Sequence, residues 1–138
     1  NIYIMARADG SSVKSKLMVA GADIVESPYD VGAFSMGLRL LRPSVSSFLN
    51  IALSRKKEGI QIEELFVSKD SRYTDVMLKD SGIRQDFNLI IISIKKASGE
   101  MLFNPSFLTL IEYSDTVIAM GKTKDLDKFS RVLNPDLA

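Results

Sequence analysis

Cysteine and histidine are both absent from the 138 residues of the sequence. Without cysteine there is no disulfide, no thiolate nucleophile and no zinc–thiolate site, which fits a reducing compartment. Without histidine the chain lacks the commonest general base and most transition-metal ligands. We therefore expect that the protein is not an enzyme.

Charge excess and long apolar runs are also missing. Eighteen basic and 17 acidic residues leave a net charge of +1, so no overall field attracts nucleic acid or a membrane surface. No apolar run approaches the ~20 residues of a membrane span, and no secretory signal is recognisable. The sequence predicts a folded cytoplasmic protein with no nucleic-acid partner.

The N-terminal segment has the pattern of a βαβ crossover. Residues 2–6 are a continuous apolar run, typical of a strand that is buried on both faces of a parallel sheet. A helix follows with Val13, Leu17 and Ala20 on one face and Gly21 at its end, and residues 24–25 predict the second strand. Because such a first strand is not expected to lie bare at a terminus, we expect the chain to be part of a longer protein.

Apolar residues then recur at steps of three and four, which is typical of a helix with a coiled-coil-type seam. The seam consists of Val31, Phe34, Leu38, Leu41, Val45, Phe48 and Ala52. Pro43 predicts either a kink or a second helix that begins there. The seam has two interpretations: a helical hairpin packed on its own domain, or a helix that packs on a partner chain.

The second half of the chain predicts a separate α/β unit. Residues 55–59, which are charged and end in glycine, predict a domain boundary. Strands are expected at residues 60–67, 89–94, 101–103 and 116–120, and helices at 73–79 and around Leu126, Phe129 and Val132. The strands at 89–94 and 101–103 are expected to form a hairpin, with Lys95 and Lys96 on solvated faces.

The order and spacing of these segments resemble the regulator of K⁺ conductance (RCK) family, whose cytosolic domains gate potassium channels and Trk/Ktr-type transporters. Residues 2–7 and 21–28 are similar to the last strands of its Rossmann unit, and residues 41–45 to its crossover segment. Residues 81–84, 104–105 and 114–121 are similar to its C-terminal subdomain.

The resemblance implies an α/β fold, the end of a Rossmann-like parallel sheet with a helical crossover and then a small α+β ligand-binding subdomain. The corresponding domains are residues 1–29, 30–57 and 58–138. The family's Gly-rich phosphate loop would lie upstream, so these residues alone do not complete a dinucleotide site.

The function that the resemblance implies is regulatory. The chain is expected to sense a small ligand and to couple it to potassium transport as a homodimer or higher ring, at the inner face of the membrane through a pore or transporter subunit. Two alternatives are a regulatory domain of a cation/proton antiporter or another transporter, and the C-terminal part of an NAD-dependent dehydrogenase. The candidate ligands are Ca²⁺, NAD(H), ADP or ATP, and cyclic di-AMP.

Three candidate contacts lie in the N-terminal part. Arg7 follows the first strand at the edge where α/β sheets bind ligands, so it is a candidate phosphate contact. Asp23 and Glu26 flank the second strand, and similarity to calcium-gated relatives makes them candidate metal ligands. Calcium requires several oxygens, however, and residues 31–57 contain no carboxylate.

Three further candidates lie in the C-terminal part. Relatives that bind a cyclic dinucleotide use an arginine before the central strand and an asparagine entering it. Arg84 is similar to the first, whereas Ile90 occupies the position of the second. Asn88, two residues earlier, is expected on the same side of the strand as Ile90. Pro105 is expected to be a structural loop residue and a pocket wall.

Overall fold

A computed structural model describes residues 2–54 and 59–135. The chain divides into two compact units, one ending at Leu49 and the other beginning at Asn50. The boundary expected at residues 55–59 lies outside the described residues except for Gly59. The three predicted domain ranges stay a prediction.

The N-terminal unit begins with the expected βαβ crossover, formed by β1 (Met5–Arg7), α1 (Ser11–Val19) and β2 (Ile24–Glu26). The strands are parallel, with Met5 opposite Ile24. Gly21 ends α1 in the left-handed region at φ 103°, as its position predicted. Its N–H donates to Met18 O at 3.1 Å, and Ala22 N–H donates to Leu17 O at 3.0 Å, the two bonds of a Schellman motif.

The burial expected for the first strand is not observed. Ile2, Tyr3, Ile4 and Met5 are all exposed. Among the described residues β1 is hydrogen-bonded only to β2, so the two-stranded sheet leaves most of this apolar surface uncovered.

Two helices carry the seam, α2 (Pro28–Leu41) and α3 (Pro43–Ala52). Ser27 caps α2, where its Oγ accepts a hydrogen bond from Asp30 N–H at 3.3 Å. Pro43 begins α3, because its missing N–H costs nothing in the first turn of a helix. Of the two outcomes predicted for Pro43, the second helix is correct.

Within residues 2–54 and 59–135, every helix is too short or too polar to cross a membrane.

The C-terminal unit is an antiparallel sheet covered on one face by helices. Its elements are β3 (Ile60–Phe66), β4 (Val76–Met77), α4 (Ile83–Phe87), β5 (Ile90–Lys95), β6 (Met101–Phe103), β7 (Leu110–Ile111), β8 (Thr116–Lys122) and α5 (Thr123–Leu133). The main sheet has the order β3-β8-β5-β6, and β4 pairs with β7. The fold is therefore mixed α/β, as expected.

The core of this unit lies between the sheet and α5. Val117 and Ala119 point from β8 into the core, and Phe129 of α5 is fully buried there. The Phe129 ring packs at 5.6 Å from the Tyr73 ring and at 5.2 Å from the Phe87 ring. The contact between Phe87 and Phe129 holds α4 against α5.

The helix predicted at residues 73–79 is wrong. This stretch contains β4 and a 3₁₀ turn (Leu78–Asp80) instead. Asp75 has a positive φ of 61°, which breaks any helix, and its N–H donates to Ile111 O at 2.8 Å. Gly82 has φ 65° and precedes α4.

Candidate functional site

Two adjoining cavities lie where α4 meets the end of the main sheet. The α4–β8 cavity has a volume of about 230 Å³, and its walls include Ile60, Met120 and Lys122. The α4–loop cavity has a volume of about 340 Å³, and its walls include Pro105 and Phe107. Arg84, Leu89 and Ile90 line both cavities. The walls of the α4–β8 cavity are mostly apolar, whereas those of the α4–loop cavity are about equally polar and apolar. Concave sites that combine apolar walls with a few polar groups are typical of small-ligand binding.

The turn from α4 into β5 positions two of the predicted residues. Arg84 lies in the first turn of α4, and Asn88 ends the helix in the left-handed conformation at φ 53°. Asn88 N–H donates to Arg84 O at 3.0 Å. Asparagine tolerates this conformation better than most residues. Because β5 begins at Ile90, Asn88 lies outside the strand, yet it lines the α4–β8 cavity together with Arg84.

Gly121 allows the sheet to approach this turn closely. A Cβ at this position would clash with Leu89 Cδ2 and would lie 3.6 Å from Asn88 O. Leu89 is buried, so its side chain has little room to yield. Gly121 therefore sets the shape of the α4–β8 cavity, a role that the sequence alone did not reveal.

The loop between β6 and β7 forms the wall of the second cavity. Asn104 N–H donates to Ile92 O at 3.0 Å, and Lys79 N–H donates to Phe107 O at 2.8 Å. Anchored on both sides, the loop holds Pro105 half-buried against the α4–loop cavity. Arg84 and Asn88 thus line the α4–β8 cavity together, and Arg84 and Pro105 line the α4–loop cavity.

The electrostatics of both cavities favour an anion. Arg84 and Lys122 line the first, and Arg84 and Lys79 line the second. Among the described residues that form the walls, none is an aspartate or a glutamate. Cationic groups beside apolar walls can hold a phosphate while an uncharged ring packs on the apolar surface.

The N-terminal candidates have local partners. Arg7 Nη2 lies 3.0 Å from Asp9 Oδ1, in an ion pair exposed to solvent. Asp23 Oδ2 accepts a hydrogen bond from Ile4 N–H at 2.7 Å, and Glu26 ends β2 with its side chain exposed.

A calcium ion needs about six to eight oxygens. In the described part of the chain, no group of three or more acidic side chains is placed so that it could hold a metal ion. The two carboxylates of Asp23 and Glu26 do not complete a calcium site by themselves, and their role as ligands stays a prediction.

A buried ion pair supports the β7–β8 turn. Lys96 Nζ lies 2.6 Å from Asp115 Oδ2 and 2.7 Å from Glu112 Oε2, and it donates to Leu110 O at 3.2 Å. Burial lowers the pKa of Lys96, but the hydrogen bonds to Asp115 and Glu112 outweigh it and raise the pKa above 10.5. The solvated position expected for Lys96 is therefore wrong.

A family model described as the TrkA-C domain matches residues 62–134, a little over half of the chain. The chain belongs to this family. The resemblance to the RCK family is thereby confirmed, and the TrkA-C match covers the wall residues of the α4 cavities except Ile60.

Relatives of this TrkA-C chain include two potassium channel proteins of Methanocaldococcus jannaschii. Potassium channel protein 1 is 31% identical over 131 residues, which is 95% of this chain and 38% of the relative. Probable potassium channel protein 2 is 32% identical over 130 residues, 91% of this chain and 38% of the relative. The chain therefore spans well under half the length of these relatives.

A solved structure similar to this chain is the RCK C domain of the potassium transport protein KtrA in complex with cyclic diadenosine monophosphate. The TM-score is 0.53 at 26% identity. The match covers 64% of this chain and 95% of the KtrA domain.

Proposed function

We propose that this chain is a cytosolic regulatory domain of a potassium channel or potassium transporter, and that it senses a phosphate-bearing small ligand at the α4 cavities. The observation that carries the proposal is the convergence of Arg84, Asn88 and Pro105 on two adjoining cavities without an acidic wall residue. Ligand binding there would bias the conformation of the domain, and this bias would be transmitted to a membrane pore.

Cyclic di-AMP is the first candidate ligand. The similar KtrA domain is described in complex with it, and Arg84 is available for one of its phosphates. Ile90, which is 52% exposed, offers an apolar surface where cyclic-dinucleotide binders of the family carry asparagine. Asn88 is then the amide that would reach the ligand. ADP, ATP and NAD(H) carry the same phosphate chemistry and remain in the test.

A homodimer through α2 and α3 is the second part of the proposal. Phe34 is 73% exposed and Leu41 is 80% exposed, although both belong to the apolar seam. With Gly37 they line a groove of about 340 Å³ on α2. Burial of such an exposed apolar surface against another surface is favourable, because it removes the apolar side chains from water. A second copy supplies an identical seam, and a ring of such dimers would act on a pore at the inner face of the membrane.

A ligand panel combined with a mass measurement tests this function. The full chain is melted in the presence of Ca²⁺, NAD⁺, NADH, ATP, ADP or cyclic di-AMP, and its mass is measured by light scattering. We expect a dimer that at least one phosphate-bearing ligand stabilises by about 1–3 kcal/mol at saturation. A monomer that is indifferent to all six compounds would contradict the proposal.

A further inference from the structure

Two cationic side chains reach the α4–β8 cavity from different elements. Arg84 comes from α4, and Lys122 is the last residue of β8. In the described part of the chain, neither side chain forms an ion pair with a carboxylate. Lys79 at the neighbouring cavity differs, because its Nζ lies 3.8 Å from Asp80 Oδ2.

The sheet register fixes where Lys122 lies. Lys122 is paired with Ile60 of β3, and Met120 is paired with Ile90 of β5. Residues two apart on a strand share a face, so Lys122 and Met120 lie on the same side of β8. This face also lines the cavity. Lys122 therefore follows the apolar Met120 along this face, and Arg84 is contributed by α4.

We infer that Lys122 is a second cationic contact for the phosphate group of a nucleotide bound in the α4–β8 cavity. This inference rests on the proposed function and adds a residue to its site. Two cations from different elements hold an anion in one orientation, whereas a single flexible cation does not. The site is accordingly selective for phosphorylated nucleotides over the corresponding uncharged nucleosides.

Calorimetric titration of the full chain with cyclic di-AMP and, separately, with ATP tests the inference. Lys122→Gln is compared with wild type, Arg84→Gln and the control Lys124→Gln. Lys124 carries the same charge two residues further on but does not line either cavity. We expect Lys122→Gln to weaken binding of the bound nucleotide about ten-fold or more, and Lys122→Arg to retain most of the affinity. Lys124→Gln should bind like wild type, and the melting temperatures of all variants should agree.

The outcomes separate the two proposals. Weakening by Lys122→Gln with an unchanged control supports the role of Lys122. Equal weakening by Lys122→Gln and Lys124→Gln overturns it, because a general charge effect then explains the loss. Unchanged binding by Lys122→Gln with weakened binding by Arg84→Gln also overturns it and leaves the proposed function standing. If wild type binds neither cyclic di-AMP nor ATP, both the role of Lys122 and the assignment of these nucleotides as ligands are overturned.

Discussion

Asp115 places a carboxylate inside the C-terminal unit, and Lys96 supplies the cation that balances it. The Asp115 side chain is 1% exposed and the Lys96 side chain 17% exposed. Removal of one partner from a buried pair leaves an uncompensated charge in a medium of low polarity. These two residues therefore affect stability far more than the exposed ion pairs of the same chain.

Lys96→Met is expected to destabilise the C-terminal unit by about 3 kcal/mol, because Asp115 would lose its cation. The matched control is Lys95→Met, since Lys95 is the exposed neighbour on β5 and its loss should cost less than about 0.5 kcal/mol. Urea unfolding of both variants measures the difference. Equal stabilities of the two variants would show that the ion pair contributes nothing.

Stability should also fall at alkaline pH. The pKa of Lys96 is raised above its ordinary value of 10.5, so its contribution is complete below pH 10.5 and is lost as the pH rises through the folded-state pKa. The stability difference between wild type and Lys96→Met should therefore shrink above pH 10.5. Urea unfolding across this range measures it, and a difference that is constant to the highest pH would contradict the assignment.

Some of these residue roles could be expected from the sequence and others could not. Arg84 was predicted as a site residue from its similarity to the family pattern, and Pro105 as a loop residue and pocket wall. The structure places both beside a cavity, and their binding roles stay a prediction. Asn88 was expected on the same side of the strand as Ile90, whereas its left-handed turn places it at a helix end. Lys96 could not be distinguished from Lys95, because only the fold determines which of two adjacent lysines meets Asp115.

Among the helices of the N-terminal unit, two glycines differ in whether their backbone conformation requires glycine. Gly21 ends α1 with φ 103°, a conformation that disfavours any residue with a Cβ. Gly32 lies inside α2, where an added Cβ would meet no atom within 4 Å. The same substitution should therefore change stability in opposite directions at the two sites.

Gly21→Ala should destabilise the N-terminal unit by about 1 kcal/mol or more, because alanine is strained in the left-handed region. Gly32→Ala should stabilise α2 by about 0.5–1 kcal/mol, because alanine is the better helix former. Hydrogen exchange of the α1 and α2 amides measures both effects. The same sign of change in the two variants would contradict the described helix ends.

The spacing of apolar residues predicted those helices and strands that have a clear local sequence pattern. The seam spacing and Pro43 gave α2 and α3, and the apolar run before Lys95 gave β5. The stretch at residues 73–79 was predicted wrongly, because its strand exists only through pairing with β7 far along the chain. A two-residue strand such as β7 carries no pattern of its own and was not foreseen.

At the scale of the whole molecule, the exposed seam determines the assembly that we propose. Phe34→Asp should convert the dimer into a monomer, because the new carboxylate would have to be buried in an apolar interface. Ser35→Asp is the control, since Ser35 is an exposed neighbour on α2 outside the seam. Light scattering measures the mass of both variants. A Phe34→Asp dimer, or a monomeric wild type, would exclude this interface.

In the proposed site, Arg84 binds the phosphate of the ligand. The most direct measurement is a calorimetric titration of wild type and Arg84→Gln with cyclic di-AMP and with ATP. Arg131→Gln serves as the control, since Arg131 is an exposed residue of α5 that lines neither cavity. We predict that Arg84→Gln weakens binding about ten-fold or more, whereas Arg131→Gln leaves it unchanged. Binding by Arg84→Gln at wild-type affinity would contradict the claim.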